Sequence, residues 1–239
     1  MLRAMTGTGE APVSLTLKVL VDDVPSVEGV VPAHGLSILV EARYRGYEKR
    51  LLFDAGPSGR ILLYNAKIMG VDLKPDFAVG SLPLYHHVGG FKILDRRIPV
   101  IKPRRVLPEP REASISELPH LPGFYLVMSP SHWNEQALMV SLELGAVLIT
   151  GCSVHGFYET FGWILKGSLK LYGLVGGLGI STRDFVNMRF LRRLARGGLS
   201  LVFPLHSTSL EARRSIVKTL NKHPLEYDVP GAGAEVEVG

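Results

Sequence analysis

Twice along this chain a series of short apolar runs gives way to a helical pattern, and a proline-dense stretch separates the two series. In the first series Ser14 to Val21, Leu36 to Ala42 and Arg50 to Asp54 read as strands, being rich in Leu, Val and Ile. A helix is expected from Ser58 to Met69, with Ser58 able to cap it and Gly70 ending it. Asp76 to Gly80 is a further short strand. In the second series Ala137 to Leu142 and Ala146 to Thr150 form a hairpin across Glu143, Leu144 and Gly145. A helix is expected from Gly156 to Lys166, and Leu171 to Val175 and Leu199 to Pro204 read as buried strands. Between those two strands lies an Arg-rich helix, Arg183 to Arg196, whose Phe185, Met188, Leu191 and Leu194 recur at helical spacing and should face the core. A last helix begins after His206, where Thr208 and Glu211 are spaced as a capping box. Strands followed by helices, twice over, fit a mixed-sheet sandwich covered by helices, an α/β architecture in one domain spanning residues 1–239.

The stretch 97–130 carries Pro99, Pro103, Pro108, Pro110, Pro119, Pro122 and Pro130. Proline removes a backbone donor and fixes φ, so this segment excludes a long helix or a central strand. It reads as a surface connector with short strands inside it. Hydrophobic residues at 46% and charged residues at 21% fit a globular chain, and no uninterrupted apolar run is long enough for a membrane span. Met1 to Pro12 carries no apolar signal core and should fray before the first strand. The lone Cys152 excludes an internal disulfide and a cysteine-based zinc knuckle, and with the missing signal it suggests a reducing cytoplasm. The net charge of +5 is mild, and without aromatic-basic interleaving the arginines of 183–196 read as a solvated helix face rather than a nucleic-acid patch.

Chemistry-bearing residues gather where the apolar runs stop: Asp54-Ala55-Gly56, Gly80 to Gly90 with Tyr85-His86-His87, Thr150-Gly151-Cys152-Ser153, and Pro204-Leu205-His206. Strand ends are where α/β folds assemble their sites. Together with His34-Gly35-Leu36-Ser37, Phe53-Asp54-Ala55-Gly56 and Glu135-Gln136-Ala137-Leu138, these phrases resemble the metallo-β-lactamase superfamily. Within it they are most similar to the dihydropterin ribofuranosyl-aminobenzene phosphate synthase group. The order and spacing hold from about residue 15 to residue 238. The resemblance implies an αββα sandwich of two mixed β-sheets flanked by helices.

The same resemblance shows where the metal ligands depart. The family's His-x-His-x-Asp-His motif falls on Leu82, Leu84, His86 and His87; the histidine after Cys-Ser falls on Val154, that of Gly-Gly-Phe-His on Gly179, and the final one on His206. The first metal position would therefore meet Leu82, Leu84 and Val154, which offer no lone pair and are expected to fill the vacated pocket and keep it dry. His155 beside Val154 could restore at most one ligand by a one-residue slip. The second position would keep His86, His87 and His206, and three histidines with an open fourth position can hold one zinc-like ion. Such an ion makes a water acidic enough to serve as a nucleophile near neutral pH. The alternative is that these histidines are relics or structural groups and that no metal is bound.

Asp54 is implied by the resemblance to orient the metal loop from behind; read from the residues alone it is an Asx-turn or helix cap before the Ser58 helix, the role favoured here because it survives without metal. Cys152 is a nucleophile only with a nearby base, for which His155 stands three residues on; otherwise it is a small buried residue at a strand end. His34 carries its phrase without an assigned chemical role, and His120, His132 and His223 read as surface histidines. Phe157, Tyr158, Phe161 and Trp163 belong either to a core helix or to a self-association face. Three functions remain in competition: a catalytically silenced or impaired member acting in small-molecule or protein binding, a mono-metal hydrolase of a phosphorylated or ester-like small molecule, and the family's pterin-related transfer chemistry.

Overall fold

The computed structural model describes residues 10–103, 112–130, 133–166 and 169–239. Pro108, Pro110 and His132 lie outside the described residues, as does most of the N-terminal stretch. Two six-stranded sheets form the frame. The first has the order β12-β1-β2-β3-β4-β5, from Glu235–Val238, Ser14–Val21, Ser37–Arg43, Glu48–Phe53, Phe77–Val79 and Val100–Ile101. The second has the order β11-β10-β9-β8-β7-β6, from Leu201–Pro204, Leu171–Gly176, Gly145–Thr150, Gln136–Leu142, Phe124–Met128 and Ser114–Glu117. Both are mixed: β3, β4 and β5 run parallel beside antiparallel neighbours, and so do β9, β10 and β11.

The period of two along each strand sorts side chains into layers. Leu15, Leu17 and Val19 of β1, Leu51 and Phe53 of β3, Val147 and Ile149 of β9 and Phe203 of β11 meet between the sheets. Their alternates point outward. Leu20, Leu39 and Leu52 pack under α1 (Gly59–Ile68) with Leu62 and Ala66. Met139, Leu148, Leu174 and Val202 pack under α3 (Phe157–Phe161), α4 (Phe185–Arg196) and α5 (Leu210–Leu220). The layering is the expected αββα sandwich. Among the described residues no helix is long and apolar enough to cross a membrane.

Several local expectations are corrected. The helix over 156–166 starts only at Phe157, because Gly156 sits at φ 84°, and it tightens into a 3-10 turn from Gly162. Phe157 and Phe161 face the core, Trp163 packs against it and Tyr158 is partly exposed, so most of this segment is core helix. Phe185 does not face the core: it is 81% exposed at the first turn of α4, and Phe190 packs inward with Met188, Leu191 and Leu194. The cap of α5 is Ser209, whose hydroxyl accepts from the Ala212 N–H; Thr208 instead accepts from the Leu178 N–H, and Glu211 from the Thr182 hydroxyl. Ser58 precedes α1 without a side-chain cap bond. Inside the proline-rich connector, β7 runs between two prolines and pairs on both sides, so it is an internal strand after all. The closing strand β12, whose Glu-Val-Glu-Val alternation has the period of a strand, is an addition to the expected elements.

Candidate metal centre

The strands end where the chemistry begins. β1 runs out into Asp22 and Asp23, β3 into Asp54, β4 into Ser81, β9 into Cys152 and β11 into His206, while His34 lies just ahead of β2. The single-turn helix α2 (Tyr85–Val88) presents His86 and His87 to the same edge.

Asp54 is fully buried at φ 57°. Its Oδ1 accepts from the Ser81 N–H at 2.6 Å, and its Oδ2 from the Ser81 hydroxyl and from His87 Nδ1, each at 2.6 Å. The carboxylate therefore fixes the ring of His87 rather than capping α1, which corrects the structural reading favoured from sequence. A Cβ on Gly151 would collide with Ser81 Oγ, so glycine there makes room for this arrangement. With Nδ1 engaged, His87 has Nε2 left, and that atom is buried with no hydrogen-bond partner. Burial opposes charge on His87, but the Asp54 carboxylate outweighs it and lifts the imidazole to about 10.

His206 is held the same way. Its N–H donates to Asp22 Oδ2 at 2.6 Å, and its Nδ1 pairs with Asp23 Oδ2 at 2.9 Å. Asp22 is in turn gripped by the buried Arg213, whose Nη1 lies 2.6 Å from Asp22 Oδ1 and also donates to the Pro230 carbonyl. The second oxygen of Asp23 takes His34 Nδ1 at 3.0 Å. Burial raises Asp23, and the neighbouring His206 and His34 bring it well below the usual carboxylate range. His86, half-buried, is pushed down to about 3 by burial and by the adjacent His87, His206 and His34, so its ring is neutral and keeps a free lone pair.

Cys152 is presented by a tightly held loop. The buried Glu135 accepts from three successive N–H groups: Cys152 at 3.1 Å and Ser153 at 2.6 Å on Oε1, and Val154 at 3.0 Å on Oε2. Ser207 Oγ donates to the Cys152 carbonyl. Burial raises the thiol, while His206 and His87 beside it bring it below the ordinary thiol value.

The structure thus gathers His86, His87 and His206, with ring centres 4.5–5.4 Å apart. Their ligand atoms, however, fall into two groups that share His206. His87, Cys152 and His206 converge within 4.8 Å on the inside, and His34, His86 and His206 do so on the outside. The three-histidine set expected from sequence is divided between them. His155 is exposed and belongs to neither group among the described residues. Leu82 is fully buried, as a pocket-filling residue would be, whereas Leu84, Val154 and Gly179 are only half-buried. His120 and His223 are exposed as expected. Cys152, His34, Asp23 and Glu135 are the partners that sequence reasoning does not connect; their one shared signal is a place within three residues of a strand end, Asp23 and Cys152 after one and His34 and Glu135 before one.

The donor set of the inner group fits a metal ion. Two imidazoles, each backed by a carboxylate on Nδ1, and a thiol drawn towards thiolate are a recurring set for zinc-like cations, and the backing carboxylates orient and strengthen such ligands. A buried imidazole nitrogen with no partner is costly unless something binds it, which is the same conclusion reached from the other side.

No family model matches the chain. The chain is 33% identical over 249 residues to the 7,8-dihydropterin-6-methyl-4-(β-D-ribofuranosyl)-aminobenzene-5′-phosphate synthase of Methanocaldococcus jannaschii, covering 77% of this chain and 84% of that protein. In structure it is similar to Tm1679, a metal-dependent hydrolase of the β-lactamase superfamily, with a TM-score of 0.72 at 22% identity over 94% of this chain and 99% of that one. It is also similar to the metallo-β-lactamase-fold protein YhfI from Bacillus subtilis, with a TM-score of 0.55 at 14% identity over 95% of this chain and 100% of that one. With its two mixed sheets, its helices on both faces and its histidines at the strand ends, the chain belongs to the metallo-β-lactamase superfamily, in the family of that synthase.

Proposed function

We propose that this chain is a single-cation metalloenzyme of the hydrolase type, acting on a phosphorylated or ester-like small molecule. The observation that carries this reading is the buried, unpartnered Nε2 of His87, held in place by Asp54 through Nδ1. His87, Cys152 and His206 would hold the ion. A zinc-like ion there supplies Lewis acidity towards water and towards a phosphoryl or carbonyl oxygen. The chain's own residues do the rest. Asp54 and Asp23 keep each ring in one tautomer, Glu135 fixes the thiol-bearing loop, and Leu82 keeps water from the side where relatives have a histidine. Substrate would enter past the exposed His34 and the half-buried His86, with Tyr85, 67% exposed, at the rim. The relative in the synthase family is named for a product bearing a 5′-phosphate, which favours a phosphorylated ligand for this chain.

A second reading rests on a specific feature. Leu82 is fully buried where the first motif histidine belongs, and the two-metal clamp on attacking and leaving oxygens goes with it. That favours a silenced member that binds small molecules or proteins without turning them over. Metal analysis of the purified protein, followed by turnover assays on phosphomonoesters, phosphodiesters and lactones, separates the two. One equivalent of metal with turnover that His87→Ala abolishes supports the enzyme. Metal without turnover on any substrate class supports the silenced member. Absence of metal after purification and after reconstitution overturns the first reading.

A further inference from the structure

We propose that His34, His86 and His206 form a second cation station at the mouth of the cleft, free of sulfur, which takes a borderline divalent ion as an alternative to the inner one. Each residue offers a ring nitrogen within 4.8 Å of the other two. Their ring centres lie 4.7 Å (His34 to His86), 4.9 Å (His34 to His206) and 5.4 Å (His86 to His206) apart. The station is built rather than incidental. Asp23 divides its two oxygens between His34 and His206, so a single carboxylate orients two of the three rings. Gly35, at φ 136°, lies where any Cβ would overlap the His86 carbonyl oxygen, so the loop carrying His34 is seated directly on the backbone of His86. The next two residues tie that loop to the inner scaffold. The Leu36 carbonyl accepts from the Gly56 N–H at 2.8 Å, and the Ser37 hydroxyl donates to the Asp54 carbonyl at 2.9 Å. The phrase His34-Gly35-Leu36-Ser37 thereby gains a physical meaning: it docks a third imidazole onto the mouth.

The two stations differ in chemistry. The inner one offers a thiolate, which suits zinc and softer ions; the outer one offers imidazole alone, which suits Co2+, Ni2+ and Cu2+ as well as Zn2+. They are alternatives for one ion, because a His206 ring held by Asp23 through Nδ1 has one nitrogen left to ligate. The outer station goes beyond the proposed function and shares only one ligand, His206, with the inner group.

Co2+ binding, followed by visible absorption and calorimetry, tests this in the wild type, in Cys152→Ser, in His34→Ala and in the double variant. Thiolate-to-cobalt charge transfer reports the inner station and is absent from the outer. Cys152→Ser is expected to retain one Co2+ per chain without that band. Adding His34→Ala to it should weaken binding by at least the about tenfold that even an outer partner of a ligand is worth. His34→Ala alone should keep the band. The proposal is overturned if Cys152→Ser binds no Co2+, or if the double variant binds as tightly as Cys152→Ser. If the wild type shows no thiolate band yet binds Co2+ through His34, the outer station stands and the inner reading falls. His34 is exposed, so its removal leaves the fold intact, and circular dichroism of each variant verifies this.

Discussion

Asp54→Asn is the substitution that separates the frame of the site from its chemistry. The carboxylate accepts three hydrogen bonds at 2.6 Å, from the Ser81 N–H, the Ser81 hydroxyl and His87 Nδ1, all fully buried. Asparagine is nearly isosteric. Its one oxygen can keep the Ser81 N–H, and the Ser81 hydroxyl can turn to accept from its NH2, but the His87 N–H then faces a donor and loses its acceptor. Hydrogen bonds to a charged partner contribute about 1.5–3 kcal/mol each, and breaking a buried pair costs about 3–5 kcal/mol. Breaking the buried Asp54–His87 pair therefore predicts a stability loss of about 3–5 kcal/mol. That is a large part of the roughly 5–15 kcal/mol a domain possesses. At about 2–4 °C per kcal/mol for a chain of this size, the melting temperature should fall by about 6–20 °C. The ring of His87 also loses the group that fixes its tautomer, so zinc affinity should fall about 10–100-fold. Denaturant unfolding with chelator present measures the first effect, and competition against a chromophoric chelator measures the second. Zinc affinity equal to wild type, in a folded Asp54→Asn protein, would refute the claim that Asp54 acts on a metal ligand. The structural bonds alone would then explain its burial.

Glu135→Ala strands the buried Ser153 N–H, at about 1–3 kcal/mol, and frees the half-buried Cys152 and Val154 N–H groups, so it should leave the protein melting well below wild type in a thermal scan. Arg213→Ala leaves Asp22 charged and uncompensated behind His206 and should cost about 3–5 kcal/mol in a denaturation curve; an effect under about 1 kcal/mol would contradict the buried pairing. In metal-free protein the His87 imidazole is raised to about 10 from an unfolded value of 6.5. The stability it contributes is therefore fully present below pH 6.5 and is lost as pH rises through about 10, which a series of denaturant midpoints with chelator would show. Zinc affinity should run the opposite way, weakening as pH falls, because the ion must displace that proton.

The layers of this fold were legible because burial on a sheet repeats every two residues. β1 has the same bounds, Ser14–Val21, in sequence and structure, and the strand-end phrases mark the site's edge. What failed was local chemistry decided by neighbours distant in sequence. Nothing near residue 209 shows that Thr208 is committed to the Leu178 N–H, so the cap of α5 reads one residue early. Phe185 fits the helical stripe, but as the first residue of α4 it stands 81% exposed. The metal site shows the same division. His86, His87 and His206 stand out as histidines at strand ends. Their sorting depends on Asp23, which meets His206 across 183 residues of chain, and on Gly35, whose contact with the His86 carbonyl no linear pattern encodes. Cys152 reads in sequence as a small strand-end residue with His155 as its one nearby base; in the structure His155 is exposed, and the neighbours of Cys152 are His87 and His206.

The most direct test of the inner centre is X-ray absorption at the zinc edge on protein reconstituted with one equivalent of zinc. The expected result is a single ion with one sulfur near the roughly 2.3 Å of a zinc–thiolate bond and imidazole nitrogens near roughly 2.0–2.1 Å, the sulfur disappearing in Cys152→Ser. A first shell of nitrogen and oxygen alone, or a second zinc within bridging distance, would contradict a centre built from His87, Cys152 and His206.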